Sequence, residues 1–298
     1  MTKKNENALR LALPNGSLEK KTLELFAQAD LAITVSPRRC TGTVSGSMIE
    51  EVVLMRPQEI PWAVEQGSFD LGICGQDCVR ESGGRVEELT MLSYSRSTDG
   101  PTRVVLVTYA DNPCRGVGDV LDDVLVLSEY PNLTRQLFDT SGKRVRVRFT
   151  AGSTEAMVPE LAPYGVCLTE TGASLQANNL KIIGVIMESQ TVMIAKTDIV
   201  KNSKLAKLAQ DLKRLLLGVI EARGYVMLVM NVPRQQLEEI TGCLRALESP
   251  TVAGLAGGAF VSVSAVVSKR EVNDTFLEVL RRGARDVIEI PISRMIRR

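Results

Sequence analysis

The chain of 298 residues contains no histidine. This absence excludes catalytic triads and dyads built on an imidazole, and it excludes zinc sites with histidine ligands. Any chemistry must therefore use carboxylates, hydroxyls, backbone N–H groups, lysine, arginine or a metal ion held by oxygen atoms.

Long apolar runs and an excess of one charge are also missing. No apolar run reaches the roughly 18 residues that a membrane-spanning helix needs. The start, MTKKNENALR, is polar and lacks the apolar region of a secretory signal, which predicts a cytoplasmic protein. Lys and Arg number 36 against 35 Asp and Glu, so the basic excess typical of nucleic-acid binding is absent. We expect neither a membrane nor a nucleic acid as a partner.

The six cysteines are scattered along the chain. Cys74 and Cys78 are the most closely spaced, but they do not have the CxxC spacing of a zinc site. In a reducing compartment we expect free, buried thiols.

What the chain does contain is an alternation of strand-like and helix-like segments. RLALP at 10–14 precedes a predicted helix from Leu18, and FDLGICG at 69–75 ends in glycine. This order predicts an α/β fold with a parallel or mixed sheet. After Gly224 the predicted order becomes β-α-β-β-α-β, which is typical of a ferredoxin-like domain.

Several loops lie between a predicted strand and a predicted helix. They are NGS (15–17), CGQD (74–77), AGSTE (151–155) and TETGAS (169–174). Ligands of open α/β sheets bind at the carboxyl ends of strands, and helix N-termini favour anions. One such loop alone is more often only a turn with a helix cap. Their recurrence favours a phosphate site, with TETGAS as the richest candidate because it combines hydroxyl groups with the flexible Gly172.

Other motifs leave alternatives open. The chain has neither the GK[ST] of a Walker loop nor a GxGxxG after a strand. Glu155 and Asp70 could bind sugar hydroxyls or a phosphate-bound Mg²⁺, or they could be solvated loop acids or helix caps. Arg56 could bind a phosphate or stack on a base, or it could form a surface ion pair.

Taken together, the motifs resemble the long form of ATP phosphoribosyltransferase, the first enzyme of histidine biosynthesis. The resemblance extends from about Leu9 to Ile296, with the blocks in the same order. The blocks are LRLALPNGSLEKKTLELF, LMRPQEIPWAVEQGSFDLGICGQD, YPNLTRQLF, GSTEAMVPEL, LTETGASLQANNLKII and VMNVPRQQLEEITGCLRALESPTV.

The resemblance implies an α/β, bilobal catalytic core of the periplasmic-binding-protein type (type II), followed by a ferredoxin-like (ACT-like) regulatory domain. We expect the first lobe at residues 1–97, completed by 183–221, the second lobe at 98–182 and the regulatory domain at 222–298. The resemblance also implies a homo-oligomer (dimer and hexamer) and feedback inhibition by histidine at the C-terminal domain.

The reaction that the resemblance implies is transfer of phosphoribose from phosphoribosyl pyrophosphate to N1 of ATP, with Mg²⁺ bound to the pyrophosphate. Positioning and charge stabilisation suffice for this reaction, so no catalytic side chain and no metal ligand are assigned. The residues carried over for phosphoribosyl pyrophosphate are Glu155, Thr169, Glu170, Thr171, Gly172, Ala173 and Ser174. Those carried over for ATP are Asn15, Gly16, Ser17, Arg56, Asp70, Gly72 and Gly75.

Some positions depart from the family pattern. Cys167 stands where the family usually has an acid that would contact the ribose hydroxyls, and each lost charge-assisted bond would cost about 1.5–3 kcal/mol. Gln76 and Cys78 replace a frequent histidine and tryptophan, and AGLAGGAFVS at 253–262 replaces an acidic turn. Two alternatives therefore remain: a non-catalytic relative that serves as a ligand-binding or regulatory subunit, and a sensor or binding module of the periplasmic-binding-protein type.

Overall fold

The computed structural model describes residues 8–36, 40–44, 48–95, 100–199 and 203–297. Most of the polar start from which we predicted a cytoplasmic location lies outside these residues. The chain divides into two compact units, a larger one of Met1–Ala27 and Leu31–Lys213 and a smaller one of Gln28–Asp30 and Arg214–Arg298. Within the described ranges, no helix combines the length and apolar character needed to cross a membrane.

The first sheet of the larger unit has seven strands in the order β2–β3–β4–β1–β5–β12–β6. They are β1 (Leu9–Pro14), β2 (Ile33–Val35), β3 (Thr41–Val44), β4 (Ile49–Met55), β5 (Leu71–Gly75), β6 (Val86–Leu92) and β12 (Thr191–Lys196). Strands β4, β1 and β5 are parallel, and β12 is antiparallel to β5 and β6. Nearly all residues of β1 and β5 are buried, as expected for central parallel strands.

Three helices accompany this sheet: α1 (Glu19–Gln28), α2 (Ile60–Glu65) and α3 (Gln76–Ser82). Pro57 begins a 3-10 turn that leads into α2, where its missing N–H costs nothing. Apolar residues of α2 and α3 pack with those of β1, β5 and β12 in one buried cluster, which includes Ile60, Val64 and Val79.

The second sheet has five strands in the order β11–β7–β10–β8–β9. They are β7 (Thr102–Tyr109), β8 (Leu125–Ser128), β9 (Arg146–Phe149), β10 (Tyr164–Thr169) and β11 (Leu180–Ser189). Strands β10, β8 and β9 are parallel. Helix α4 (Pro131–Thr140) contributes to one apolar cluster of this sheet and α5 (Ala173–Ala177) to another.

The chain returns from the second sheet to the first at Gln190, between β11 and β12. We had predicted that residues 183–221 complete the first lobe, but residues 183–189 belong to β11, which pairs with β7 from Leu180 to Ser189. The difference arises because no proline or glycine marks the passage between the two strands. The division into lobes otherwise remains a prediction.

Helix α6 (Ser203–Ala222) leads into the smaller unit. The units separate within this helix, between 213 and 214, whereas we predicted a boundary at 222. The smaller unit contains β13 (Tyr225–Pro233), α7 (Leu237–Cys243), β14 (Thr251–Gly254), β15 (Phe260–Ser268), α8 (Val272–Arg281) and β16 (Arg285–Pro291). The sheet order is β14–β15–β13–β16. Alternate residues of β13, such as Val226 and Leu228, face a core shared with the helices. The order of the elements and of the strands confirms the predicted ferredoxin-like fold.

Candidate active site

The predicted loops lie at the carboxyl ends of parallel strands. In the first sheet, residues 15–17 follow β1, Arg56 follows β4, and Gly75 ends β5 and is followed by residues 76–77. In the second sheet, residues 129–130 follow β8 and residues 170–174 follow β10. Because parallel strands end at the same edge, each sheet presents its loops on one side, where ligands of α/β sheets bind.

Both edges contribute to one cleft within the larger unit. The cleft is lined from the first sheet by Ser17, Leu18, Pro57, Gln58, Gly75, Asp77 and Cys78, from the second by Tyr130 and Leu168, and near the crossings between the sheets by Ser95, Thr102, Ser189, Gln190 and Thr191. The space it encloses is about 40 Å³, so the two sheets leave only a narrow slot at this point.

Asp77 connects both sides of the cleft. Its side chain, 4% exposed, accepts hydrogen bonds from the hydroxyls of Ser189 (2.5 Å) and Tyr130 (2.8 Å). The Asp77 N–H also donates to Ser189 Oγ at 3.1 Å. A Cβ atom on Gly75 would overlap Oδ1 of Asp77, so glycine at this position lets the carboxylate fold back. Burial, and then the charge of Asp77, raise the pKa of Tyr130, which keeps its phenol a donor.

The TETGAS loop forms a second recess. Its volume is about 290 Å³, and it is lined by Thr102, Glu155, Leu168 and residues 169–174. Gly172 has a φ of +82°, which favours glycine. Thr169 Oγ1 accepts from the N–H of Gly172 at 3.2 Å, and Thr171 Oγ1 accepts from the N–H of Ala173 at 3.4 Å. Glu170 accepts a hydrogen bond from Ser95 Oγ at 2.5 Å. The predicted donor residues are therefore brought together in one recess.

Cys167 lies behind this lining. Its side chain is 1% exposed and belongs to an apolar cluster with Val105 and Leu175. Burial, followed by the charges of Glu129 and Glu155, raises the pKa of Cys167 to about 12. The thiol is therefore neutral at physiological pH, and it is packed rather than presented to the recess.

The nucleotide residues predicted at 15–17 and Arg56 lie at the edge of the first sheet. Ser17 lines the cleft, the N–H of Gly16 donates to Glu19 Oε2 at 3.2 Å, and Arg56 is exposed. The amide oxygen of Asn15 is buried and has no hydrogen-bond partner among the described residues. A buried acceptor without a partner is costly, which favours a ligand donor at this position.

Asp70 and Gly72, which are also predicted to bind ATP, do not lie at the carboxyl end of β5. Asp70 precedes β5 and is therefore at the opposite edge from Gly75. Asp70 is fully buried, accepts from the N–H of Arg10 at 3.0 Å and lies 4.0 Å from Lys196 Nζ. A Cβ on Gly72 would lie 2.5 Å from Ile60 Cγ2, so this glycine lets α2 pack on β5. Both residues therefore have structural roles, and their assignments to ATP stay predictions.

The sequence did not identify Asp77 or Ser189 as cleft residues. Asp77 ends the CGQD loop, so its position two residues after a strand-end glycine was an available signal. Ser189 is 112 residues further along the chain and carries no local signal, since only the crossing between the sheets brings it to Asp77.

No cluster of three or more acidic or cysteine side chains that could hold a metal ion occurs in the part of the chain that is described. Around the TETGAS recess, the charged residues of the lining are Glu155 and Glu170. These carboxylates suit a cation that arrives already bound to a phosphate group.

Two protein-family models match this chain. A family described as HisG, ATP phosphoribosyltransferase, matches residues 56–214, and one described as HisG, C-terminal domain, matches residues 222–294. The ATP phosphoribosyltransferase of Pelotomaculum thermopropionicum is 37% identical over 288 residues, which are 97% of this chain and 99% of that protein. The ATP phosphoribosyltransferase of Trichlorobacter lovleyi is 38% identical over 293 residues, with 97% and 99% covered.

A solved structure supports the fold. The ATP phosphoribosyl transferase (HisG:HisZ) complex from Thermotoga maritima superimposes with a TM-score of 0.59 at 23% identity, covering 70% of this chain and 98% of that chain. The family matches and the near full-length relatives together show that the chain belongs to the ATP phosphoribosyltransferase family, which catalyses the first step of histidine biosynthesis.

Proposed function

We propose that this chain is itself an active transferase, which moves phosphoribose from phosphoribosyl pyrophosphate to N1 of ATP and releases pyrophosphate. One observation carries the proposal: residues at the strand ends of both sheets line one cleft. Two substrates bound to opposite sheets would therefore meet between them.

The donor side is the TETGAS recess. Its hydroxyl groups and the positive φ of Gly172 suit close approach of a 5′-phosphate. Because Glu155 and Glu170 are negatively charged, a bare diphosphate would be repelled. Mg²⁺ bound to the pyrophosphate offsets this charge, and Glu155 is the carboxylate we propose to face the metal-bound donor.

The acceptor side is the edge of the first sheet. Asn15 Oδ1 has no partner among the described residues, which supports a hydrogen bond from the nucleotide to this oxygen. Ser17 and Gly75 line the cleft, and the exposed Arg56 follows the neighbouring strand. We propose that these residues orient the adenine of ATP.

The reaction forms a bond between adenine N1 and C1 of the ribose and breaks the bond between C1 and the pyrophosphate oxygen. Positive charge develops on the sugar as pyrophosphate leaves, and the carboxylate of Glu155 would stabilise it. No side-chain nucleophile is needed. The protein mainly aligns the two substrates and excludes water between them.

The direct test is product formation. The purified protein, mixed with ATP, phosphoribosyl pyrophosphate, Mg²⁺ and pyrophosphatase, should form phosphoribosyl-ATP. Thr171→Val should raise the KM for the donor by about tenfold, since charge-assisted bonds contribute roughly 1.5–3 kcal/mol. Thr140→Val, in the last turn of α4, is the matched control. Retained ATP binding without product would instead favour a non-catalytic, ligand-binding relative.

We further propose that the C-terminal domain binds histidine as a feedback inhibitor and that the protein assembles as a homo-oligomer, dimeric or hexameric. The match of residues 222–294 to the C-terminal domain of the family supports this. Histidine titration that produces neither heat nor inhibition would limit this domain to a structural role. The cytoplasmic location stays a prediction from the sequence.

A further inference from the structure

A second contact joins the two sheets of the larger unit, one helical turn beyond Asp77. The carboxylate of Glu81, on α3, accepts hydrogen bonds from the backbone N–H groups of Asn132 (2.9 and 3.1 Å) and Leu133 (3.0 Å). The side-chain amide of Asn132 donates in return to the backbone oxygen of Glu81 at 2.9 Å. One residue of α3 thus holds the first turn of α4.

Helix α4 depends on this contact. The first N–H groups of a helix have no acceptor within the helix, and Tyr130, which precedes Pro131, supplies no side-chain cap. Glu81 fills this role from the other sheet, and its negative charge is favourable at the positive end of a helix. The cap of α4 is therefore also a connection between the sheets.

Glu81 adds a contact at a different point of α3 from Asp77, and two separated contacts resist rotation better than one. Asp77 and Glu81 are four residues apart, which places them about 6 Å apart along α3. Asp77 holds Tyr130, and Glu81 holds Asn132 and Leu133. The loops proposed for ATP lie on the sheet of α3, and the donor loop lies on the sheet of α4. The angle between these sheets therefore sets the distance between the substrates.

We propose that Glu81 is a positioning residue, which holds the two lobes at the angle that aligns ATP with the phosphoribosyl donor. Its effect on rate rests on the proposed function, whereas its effect on the angle is measurable without any activity. Glu81 lines neither the cleft nor the recess, so it acts through the placement of α4.

The kinetic test compares Glu81→Ala and Glu81→Gln with Glu87→Ala, an exposed acid on β6. Each substrate alone binds mainly to one lobe, so the Kd for ATP and the Kd for the donor should each change less than about twofold. The kcat of Glu81→Ala should fall about tenfold or more, because small misplacements of reacting groups are costly. Glu81→Gln keeps a carbonyl acceptor and should recover part of the rate. A kcat within about twofold of the wild type, with a lower Tm alone, would show a merely structural role.

The second test measures the angle directly. Spin labels are placed on the exposed positions Glu87→Cys and Arg148→Cys, one on each sheet, in a background of Cys40→Ser and Cys243→Ser. In Glu81→Ala the distance distribution should broaden and shift, with Glu81→Gln intermediate. The proposal is overturned if the distance distribution of Glu81→Ala coincides with that of the same labelled protein with Glu81 intact. If the wild type forms no product, the proposed function fails, while this measurement still decides the role of Glu81.

Discussion

The phenol of Tyr130 donates a hydrogen bond of 2.8 Å to Oδ2 of Asp77 and joins the two sheets of the larger unit. Tyr130 comes from the end of a strand in the second sheet, and Asp77 from the first turn of a helix on the first sheet. Both side chains are almost fully buried. A charge-assisted bond in such a site contributes more than a solvent-exposed one.

Tyr130→Phe removes only this donor. We expect the free energy of unfolding to fall by about 1.5–3 kcal/mol, the range for hydrogen bonds to charged groups, because Asp77 keeps the hydroxyl of Ser189. Urea unfolding measures the change. The matched control is Tyr109→Phe, because the hydroxyl of Tyr109 makes no hydrogen bond within the described ranges. Equal midpoints for the two variants would contradict the prediction.

Asp70→Asn distinguishes the structural role of Asp70 from the predicted role in ATP binding. The substitution removes the charge beside Lys196 and weakens the bond from Arg10, so Tm should fall, with a loss of about 1–3 kcal/mol for a disturbed buried group. ATP affinity, measured by calorimetry, should stay within about twofold of the wild type, since Asp70 lies at the opposite edge from the nucleotide loops. A selective loss of ATP affinity at unchanged stability would restore the original assignment.

Cys167 should be unreactive in the folded protein. Its pKa is raised to about 12 by burial and by the charges of Glu129 and Glu155, so the thiolate is scarce at pH 8. Ellman's reagent should label the exposed Cys40 quickly and Cys167 only after unfolding. Rapid labelling of Cys167 without unfolding would show that it is accessible.

The Cys167 thiol also predicts how the free energy of unfolding changes at alkaline pH. In the unfolded chain the thiol ionises near pH 9, whereas in the folded chain it keeps its proton to about pH 12. Its contribution to stability is therefore complete below pH 9 and is lost as pH rises towards 12. The difference in unfolding free energy between the wild type and Cys167→Ser should shrink over this interval. A difference that is constant with pH would argue against the raised pKa.

Cys167→Glu introduces an acid at the position where the family usually has one. In this chain it would be placed in an apolar cluster beside two further carboxylates. We expect a lower Tm, with a larger loss at pH 8 than at pH 5, because like charges and burial both disfavour ionisation. Donor affinity should not rise. A large gain in affinity for phosphoribosyl pyrophosphate would show that the missing acid is a real defect. Cys167→Ser is the control for the loss of the thiol.

The sequence predicted the positions of several strand-end loops because the signals were local. The TETGAS stretch, with its glycine and hydroxyl residues after a strand, indicated a loop that the structure shows at a strand end beside a recess. The β-α-β-β-α-β order after Gly224 indicated the ferredoxin-like domain. The assignment of Asp70 to ATP came from the family resemblance, whereas the strand pattern of FDLGICG places Asp70 at the start of a strand and away from its ligand edge.

The sequence by itself determined the α/β order, the strand-end loops, the family and the exclusion of histidine chemistry, since all of these follow from residue types and their spacing along the chain. Only the tertiary structure decided that Asp77 meets Ser189 and Tyr130, that Glu81 caps α4 and that Cys167 is packed behind the recess. These contacts join segments far apart in the chain, and such pairings depend on how the two sheets pack and not on any local preference.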